Sequence, residues 1–184
     1  IGFLKGQPGA ARDSAPSAMR SETSEVAPRP GQEPQAPQNA KARPKTDREQ
    51  AVAKAVRWLK AQEGGKHRGH AISRHVGKSD KQLRQRLERD NKSVVSGFYD
   101  LETAAVAIVR TIRHKENDSR VRRWLGDKES KRRLALRRAF EKPVGRIVYR
   151  DGGTRDGNGV VAVLTKWQSK GKTSYRLLTA YVER

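Results

Sequence analysis

Val160-Val-Ala-Val-Leu-Thr-Lys-Trp-Gln-Ser-Lys-Gly-Lys-Thr-Ser-Tyr-Arg-Leu-Leu-Thr-Ala-Tyr181 is the stretch on which the fold turns. An apolar run from Val160 to Leu164 gives way to the turn Lys170-Gly-Lys172, and the chain then alternates through Tyr175, Leu177, Thr179 and Tyr181. Side chains on a strand repeat every second residue, so this is the pattern of two strands joined by a tight turn. Upstream, Leu134 with Leu136 and Val144, Ile147 with Tyr149 continue the strand signal. Glu141-Lys-Pro143 and the loop from Asp151 to Gly159 separate these runs, which predicts antiparallel neighbours in a meander.

Before residue 130 the period is helical. Leu101, Ala104, Ala105, Ile108, Val109 and Ile112 fall on one face after Asp100, the strongest helical signal in the chain. Ala51, Val52, Ala55, Val56 and Leu59 mark an earlier helix from Asp47 to Gly64-Gly65, and Ser79 with Gln82 makes a capping box for one over 80–89. A short helix is expected after Asn117 and Asp118, burying Val121, Trp124 and Leu125 and stopping at Gly126. Helices first and strands last define an α+β domain.

Seven of the eight prolines lie in residues 1–44, whereas nine of the ten aromatic residues lie beyond residue 57. Residues 1–46 are therefore expected to be a disordered Pro-rich linker and 47–184 one folded domain, the leading helix over 47–64 being part of it or of an adaptor. The net charge of +21 is concentrated in the folded part. Residues 1–47 carry 7 Lys or Arg against 5 Asp or Glu, leaving 34 against 15 for the rest. Such a surface attracts polyanions, nucleic acid first.

Cysteine is absent, which excludes disulfides and thiolate metal sites, and the histidines at 67, 70, 75 and 114 have no metal-ligand spacing. Neither a metal nor an organic cofactor is expected. No apolar run approaches the roughly 20 residues that span a bilayer, so membrane insertion is not expected. The first residue is Ile1 rather than Met, so the sequence is expected to be a fragment, with whatever targeting signal the full protein carries lying upstream.

His75 lies in Gly69-His-Ala-Ile-Ser-Arg-His-Val-Gly-Lys-Ser-Asp80, among glycines and cations. Nearby positive charge disfavours protonation, and a histidine poised near neutrality can take the proton of a ribose 2′-hydroxyl. Residue types alone leave His75 open between that role and a capping or surface one. The basic groups Lys131-Arg132-Arg133 and Arg137-Arg138 bracket Leu134 and Leu136, so some of them project together and can follow a nucleic-acid backbone.

Gly69-His70, Arg74-His-Val-Gly-Lys-Ser-Asp80, Leu83, Arg86-Leu87, Pro143-Val-Gly145 and Tyr175-Arg-Leu-Leu-Thr-Ala-Tyr181 together resemble the RNase A-like toxin domain at the C-termini of bacterial contact-dependent inhibition proteins of the CdiA type. The resemblance runs from about residue 65 to the end of the sequence. It implies a disulfide-free relative in shape of pancreatic-type ribonucleases, with N-terminal helices packed on a bent antiparallel sheet and a cleft between the lobes. It also implies metal-independent cleavage of RNA, tRNA among the targets, with His75, Arg86, Thr179 and Tyr181 as the catalytic set. His70 stays open between a structural residue that hydrogen-bonds the helix entry and a second proton carrier, and Arg74, Lys78, Arg132 and Arg137 are candidate RNA contacts. A cognate acidic immunity protein and a larger delivery protein N-terminal to the domain are the implied partners. The implied destination is the cytoplasm of a target cell, after secretion by the producer. The alternative is a basic RNA- or DNA-binding module without turnover.

Overall fold

The computed structural model describes residues 45–66 and 68–184. Apart from Lys45 and Thr46, the expected linker lies outside the described residues, as does His67.

Capping chemistry sets the helix starts. Helix α1 (Asp47–Gln62) begins at a Thr46/Glu49 capping box and α3 (Asp80–Arg89) at the expected Ser79/Gln82 box. In each box a side-chain oxygen satisfies an amide that the helix leaves unpaired. Helix α4 (Leu101–Ile112) is capped by the Asp100 carboxylate on the Thr103 amide. Helix α5 (Lys115–Gly126) starts a turn earlier than the expected Asn117 and Asp118. Asn117 is buried instead, and its amide donates to the carbonyls of Thr111 and Arg137. Between α1 and α3 lies a five-residue helix, α2 (Ala71–His75), that the sequence pattern did not announce. The Glu63 carboxylate accepts from the amides of Ile72 and Ser73 at 2.9 and 2.8 Å, and so anchors the start of α2.

The strands correct the expected meander. They are β1 (Val94–Phe98), β2 (Arg133–Ala139), β3 (Gly145–Tyr149), β4 (Thr154–Gly157), β5 (Gly159–Ser169) and β6 (Lys172–Glu183). They form two antiparallel three-stranded sheets, ordered β1-β3-β4 and β2-β5-β6. The β5–β6 hairpin with its Lys170-Gly171 turn is as expected, and β2 joins its free side. β3, however, pairs not with β2 but with β1, a strand set among the helices, and part of the expected 151–159 loop is β4.

The main core fills one face of the β2-β5-β6 sheet. Leu136, Val160, Ala162, Leu164, Leu177, Ala180 and Val182 join one cluster there with the apolar face of α4. Helix α1 contributes Leu59 and Ala55 to the same core, so it is an integral layer of the folded unit. A smaller cluster of Leu83, Leu87, Val95 and Val148 fastens α3 to the other sheet. Glycines let that sheet close on the end of β6. A Cβ on Gly145 would meet the Gly97 carbonyl and lie 2.8 Å from Val182 Cγ2, and one on Gly157 would lie 2.5 Å from Val182 Cγ1. The α+β class, with helices and two antiparallel sheets and no cysteine, is therefore the observed fold.

Candidate active site

A β-bulge in β6 orients the side chains at the site. Val163 pairs with Thr179 but Leu164 pairs with Leu177, which leaves Leu178 as the extra residue. Before the bulge Leu177 faces the main core; after it Ala180 and Val182 do. Thr179 and Tyr181 consequently occupy the opposite face, and both line a cleft of about 600 Å³. With a regular alternation through position 178 they would share the buried face of Leu177. A bulge commonly re-aims side chains in this way, at the cost of ladder hydrogen bonds. Other groups take those up here: the Leu177 amide donates to Gln62 Oε1 at 3.1 Å, and the Leu178 carbonyl accepts from the His70 amide at 3.0 Å. The same bonds seat the loop before α2 on β6.

His75 ends α2 and is buried against β1. Its Nδ1 lies 3.1 Å from the Ser96 carbonyl oxygen. A carbonyl can only accept, so Nδ1 carries the proton and donates it, which leaves Nε2 with the free lone pair. Ser96 is doubly engaged, because its hydroxyl accepts from the Val182 amide at 3.2 Å and ties β1 to β6. The Tyr181 ring sits with its centroid 6.1 Å from that of His75.

Arg86 projects from α3, one residue from the buried Leu87. Its Nη1 donates to the Arg74 carbonyl at 2.8 Å, and its Nε donates to Asp90 at 3.3 Å. The same Nη1 stands 3.4 Å from His75 Nδ1. Burial first, and the Arg86 cation second, push the His75 pKa down from 6.5 to about 4, although the bond to Ser96 opposes the shift. His75 is thus held neutral well below the neutral range, rather than poised within it as the sequence suggested. His70 and Arg74 add to the same effect. The ring at neutral pH is a proton acceptor waiting in a cationic surround.

His70 also lines the cleft, and its Nδ1 is 3.0 Å from the Arg68 carbonyl, the same arrangement as in His75. Its Nε2 is likewise the nitrogen left for other partners. Arg74, Lys92 and Arg184 add positive charge to the lining. The Glu183 carboxylate is the exception, and it is paired with Arg137 at 3.3 Å.

The structure therefore brings His70, Arg74, His75, Arg86, Thr179 and Tyr181 into one cleft. Lys78, Arg132 and Arg137 do not line it; Arg137 is engaged with Glu183, and Arg132 is exposed ahead of β2. Sequence reasoning missed Ser96, Lys92 and Tyr149, because they reach the cleft from β1 and β3 or the turn before β1. Glu63 was missed as well. Among the described residues no three His, Asp or Glu side chains gather closely enough to hold a metal ion, and no helix is long and apolar enough to cross a membrane.

The fold and cleft define a basic, disulfide-free α+β domain in which imidazoles, guanidinium groups and the residues Thr179 and Tyr181 line one cleft. Residues 69–181 match the family of bacterial CdiA-CT RNAse A domains, and the chain belongs to that family. In fold it is similar to the protein in a crystal structure of a CdiA-CT/CdiI complex from Y. kristensenii 33638. The TM-score is 0.56 at 24% identity, covering 63% of this chain and 100% of the other. No curated protein matches the sequence.

Proposed function

We propose that the domain is a metal-independent endoribonuclease toxin that cleaves RNA, tRNA among its targets, through attack of a ribose 2′-oxygen on the adjacent phosphorus. The observation that carries this reading is the buried His75 ring, its Nδ1 3.1 Å from the Ser96 carbonyl oxygen, beside Arg86 in a cleft shared with Tyr181.

In the proposed reaction His75 Nε2 takes the 2′-hydroxyl proton. The 2′-oxygen bonds to phosphorus and the bond to the leaving 5′-oxygen breaks, giving a 2′,3′-cyclic phosphate and a free 5′-hydroxyl. His70, the other imidazole in the cleft, enters the step as the imidazolium and gives its Nε2 proton to the departing oxygen, so that one imidazole gains the proton the other loses. Arg86 binds the non-bridging oxygens as charge accumulates on them, the step at which a fixed cation gains most. Its confinement by Asp90 and the Arg74 carbonyl is the preorganisation this requires. Thr179 positions the phosphate, and Tyr181 stacks on a base or hydrogen-bonds the transition state.

Helix α1 belongs to the toxin domain in this proposal, since Leu59 and Ala55 lie in the main core although the family match starts only at residue 69. A larger protein N-terminal to the domain would carry it from the producer into the cytoplasm of a competing cell. The structural neighbour was solved with a partner, CdiI. We propose a cognate immunity protein here too, presenting acidic residues to the cationic cleft.

The test is incubation of the purified protein and its His75→Ala variant with total tRNA in EDTA, followed by end-group analysis. Fragments ending in cyclic phosphate, from the wild type only, support the reading. RNA retarded on a gel but left intact by both proteins would instead establish a non-catalytic binding module.

A further inference from the structure

A second hollow, of about 770 Å³, opens beside the cleft. His70, Arg74 and Thr179 line both, so the two adjoin at these three residues. The second hollow adds Arg68 and Arg133 as cations, with Val163 and Leu178 as an apolar floor. Its wall is fixed. Gly64 and Gly69 exchange backbone hydrogen bonds at 2.7 and 3.2 Å, and Arg68 between them is held at φ 56°, a conformation that costs energy for a residue with a side chain. A Cβ on Gly69 would collide with the Gln62 carbonyl, so glycine is what lets this loop press onto α1.

The junction carries an independent sign. Thr179 Oγ1 is the only buried side-chain polar atom without a hydrogen-bond partner among the described residues. Leaving a hydroxyl buried and unpaired is costly, and rotation about its Cα–Cβ bond would turn it toward a ligand that supplies an acceptor.

We infer that this hollow is a second nucleotide subsite, which takes the phosphate next along the RNA chain from the one being cleaved. The inference rests on the ribonuclease reading of the cleft. Arg68 and Arg133 bind that phosphate, Val163 and Leu178 support the attached nucleoside, and Thr179 donates to the backbone as it passes from one hollow to the other. The groups that hold the second phosphate lie outside the reacting centre, so their energy appears in binding. A dinucleoside monophosphate, with one phosphate, fills only the cleft. A trinucleotide with its extra phosphate on the correct side fills both.

Steady-state cleavage of a dinucleoside monophosphate and of trinucleotides extended on either side, by the wild type and by an R68Q/R133Q double variant, tests this. One trinucleotide should show a KM at least roughly tenfold below that of the dinucleotide, the gain expected of a charge-assisted phosphate contact. In R68Q/R133Q that gain should vanish while kcat stays within about twofold. R57Q/R123Q removes the same charge from exposed positions outside the hollow and controls for general attraction of anions. Equal losses on both substrate lengths, a retained length preference, or the same loss in the control would overturn the subsite. If the wild type leaves every substrate intact, the ribonuclease reading has failed and the subsite with it. Cleavage without any length preference sinks the subsite alone.

Discussion

Acidification should weaken this protein through His75 in particular. The folded ring resists protonation down to about pH 4, whereas the same ring in the unfolded chain takes a proton near 6.5. Between those values the unfolded state binds more protons, so stability falls as pH falls and levels off below about 4. The whole effect amounts to about 3 kcal/mol, of which about 2 kcal/mol should be lost by roughly pH 4.5. His75→Gln carries no titrating group there. Urea unfolding of wild type and variant at pH 7 and about 4.5 isolates the contribution, because all other titrating groups are common to both. The stability advantage of the wild type over His75→Gln should shrink by about 2 kcal/mol at the lower pH. An advantage of the same size at both pH values would show that the ring is not held neutral by burial and Arg86, and would remove the basis for its role as acceptor.

Arg86→Gln should lower kcat by roughly 10²–10³ with a smaller effect on KM, as expected for a group that acts on developing charge. In the same variant the His75 ring should titrate at higher pH, visible by NMR, because a neighbouring cation is gone. Tyr181→Phe keeps the ring packed against His75 and should leave unfolding midpoints nearly unchanged while reducing turnover; unchanged turnover would exclude the hydroxyl from the chemistry. Ser96→Ala should cost about 1–2 kcal/mol in denaturant unfolding, since the buried Val182 amide loses its acceptor, yet cleavage at saturating substrate should persist because His75 bonds to the backbone carbonyl.

Long periodic segments and local caps were readable in the sequence. The apolar face of α4, the Ser79/Gln82 box and the β5–β6 hairpin all stand as their spacing indicates, because each is determined by residues a few positions apart. β1 was not readable. Four of the five residues in Val94-Val-Ser-Gly-Phe98 are buried, so no alternation shows, and Ser96-Gly97 at its middle looks like a turn. Its partner β3 is more than forty residues away, and with β1 overlooked the strands appeared to form one meander. The five residues of α2 are too few for a helical period, and the Glu63 carboxylate that anchors it lies outside any cap spacing.

The site divides in the same way. The resemblance pointed to His75, Arg86, Thr179 and Tyr181, and the fold collects them in one cleft. The bulge at Leu178 that turns the last two toward it has no local signature, since only the register against β5 reveals it. The low pKa of His75 was also beyond reach, because its leading cause is burial under elements distant in sequence. Sequence selected Arg132 from a basic triplet, and its neighbour Arg133, the first residue of β2, lines the second hollow.

The central claim is that this cleft makes a ribose 2′-oxygen attack its own phosphodiester. The most direct measurement uses an oligodeoxynucleotide carrying a single ribonucleotide, incubated with the wild-type protein in EDTA. One cut is expected, immediately 3′ of the ribose, leaving a 2′,3′-cyclic phosphate there and a 5′-hydroxyl on the other product. Cuts at deoxyribose positions, products without a cyclic phosphate, or a substrate that is bound but never cut would contradict it.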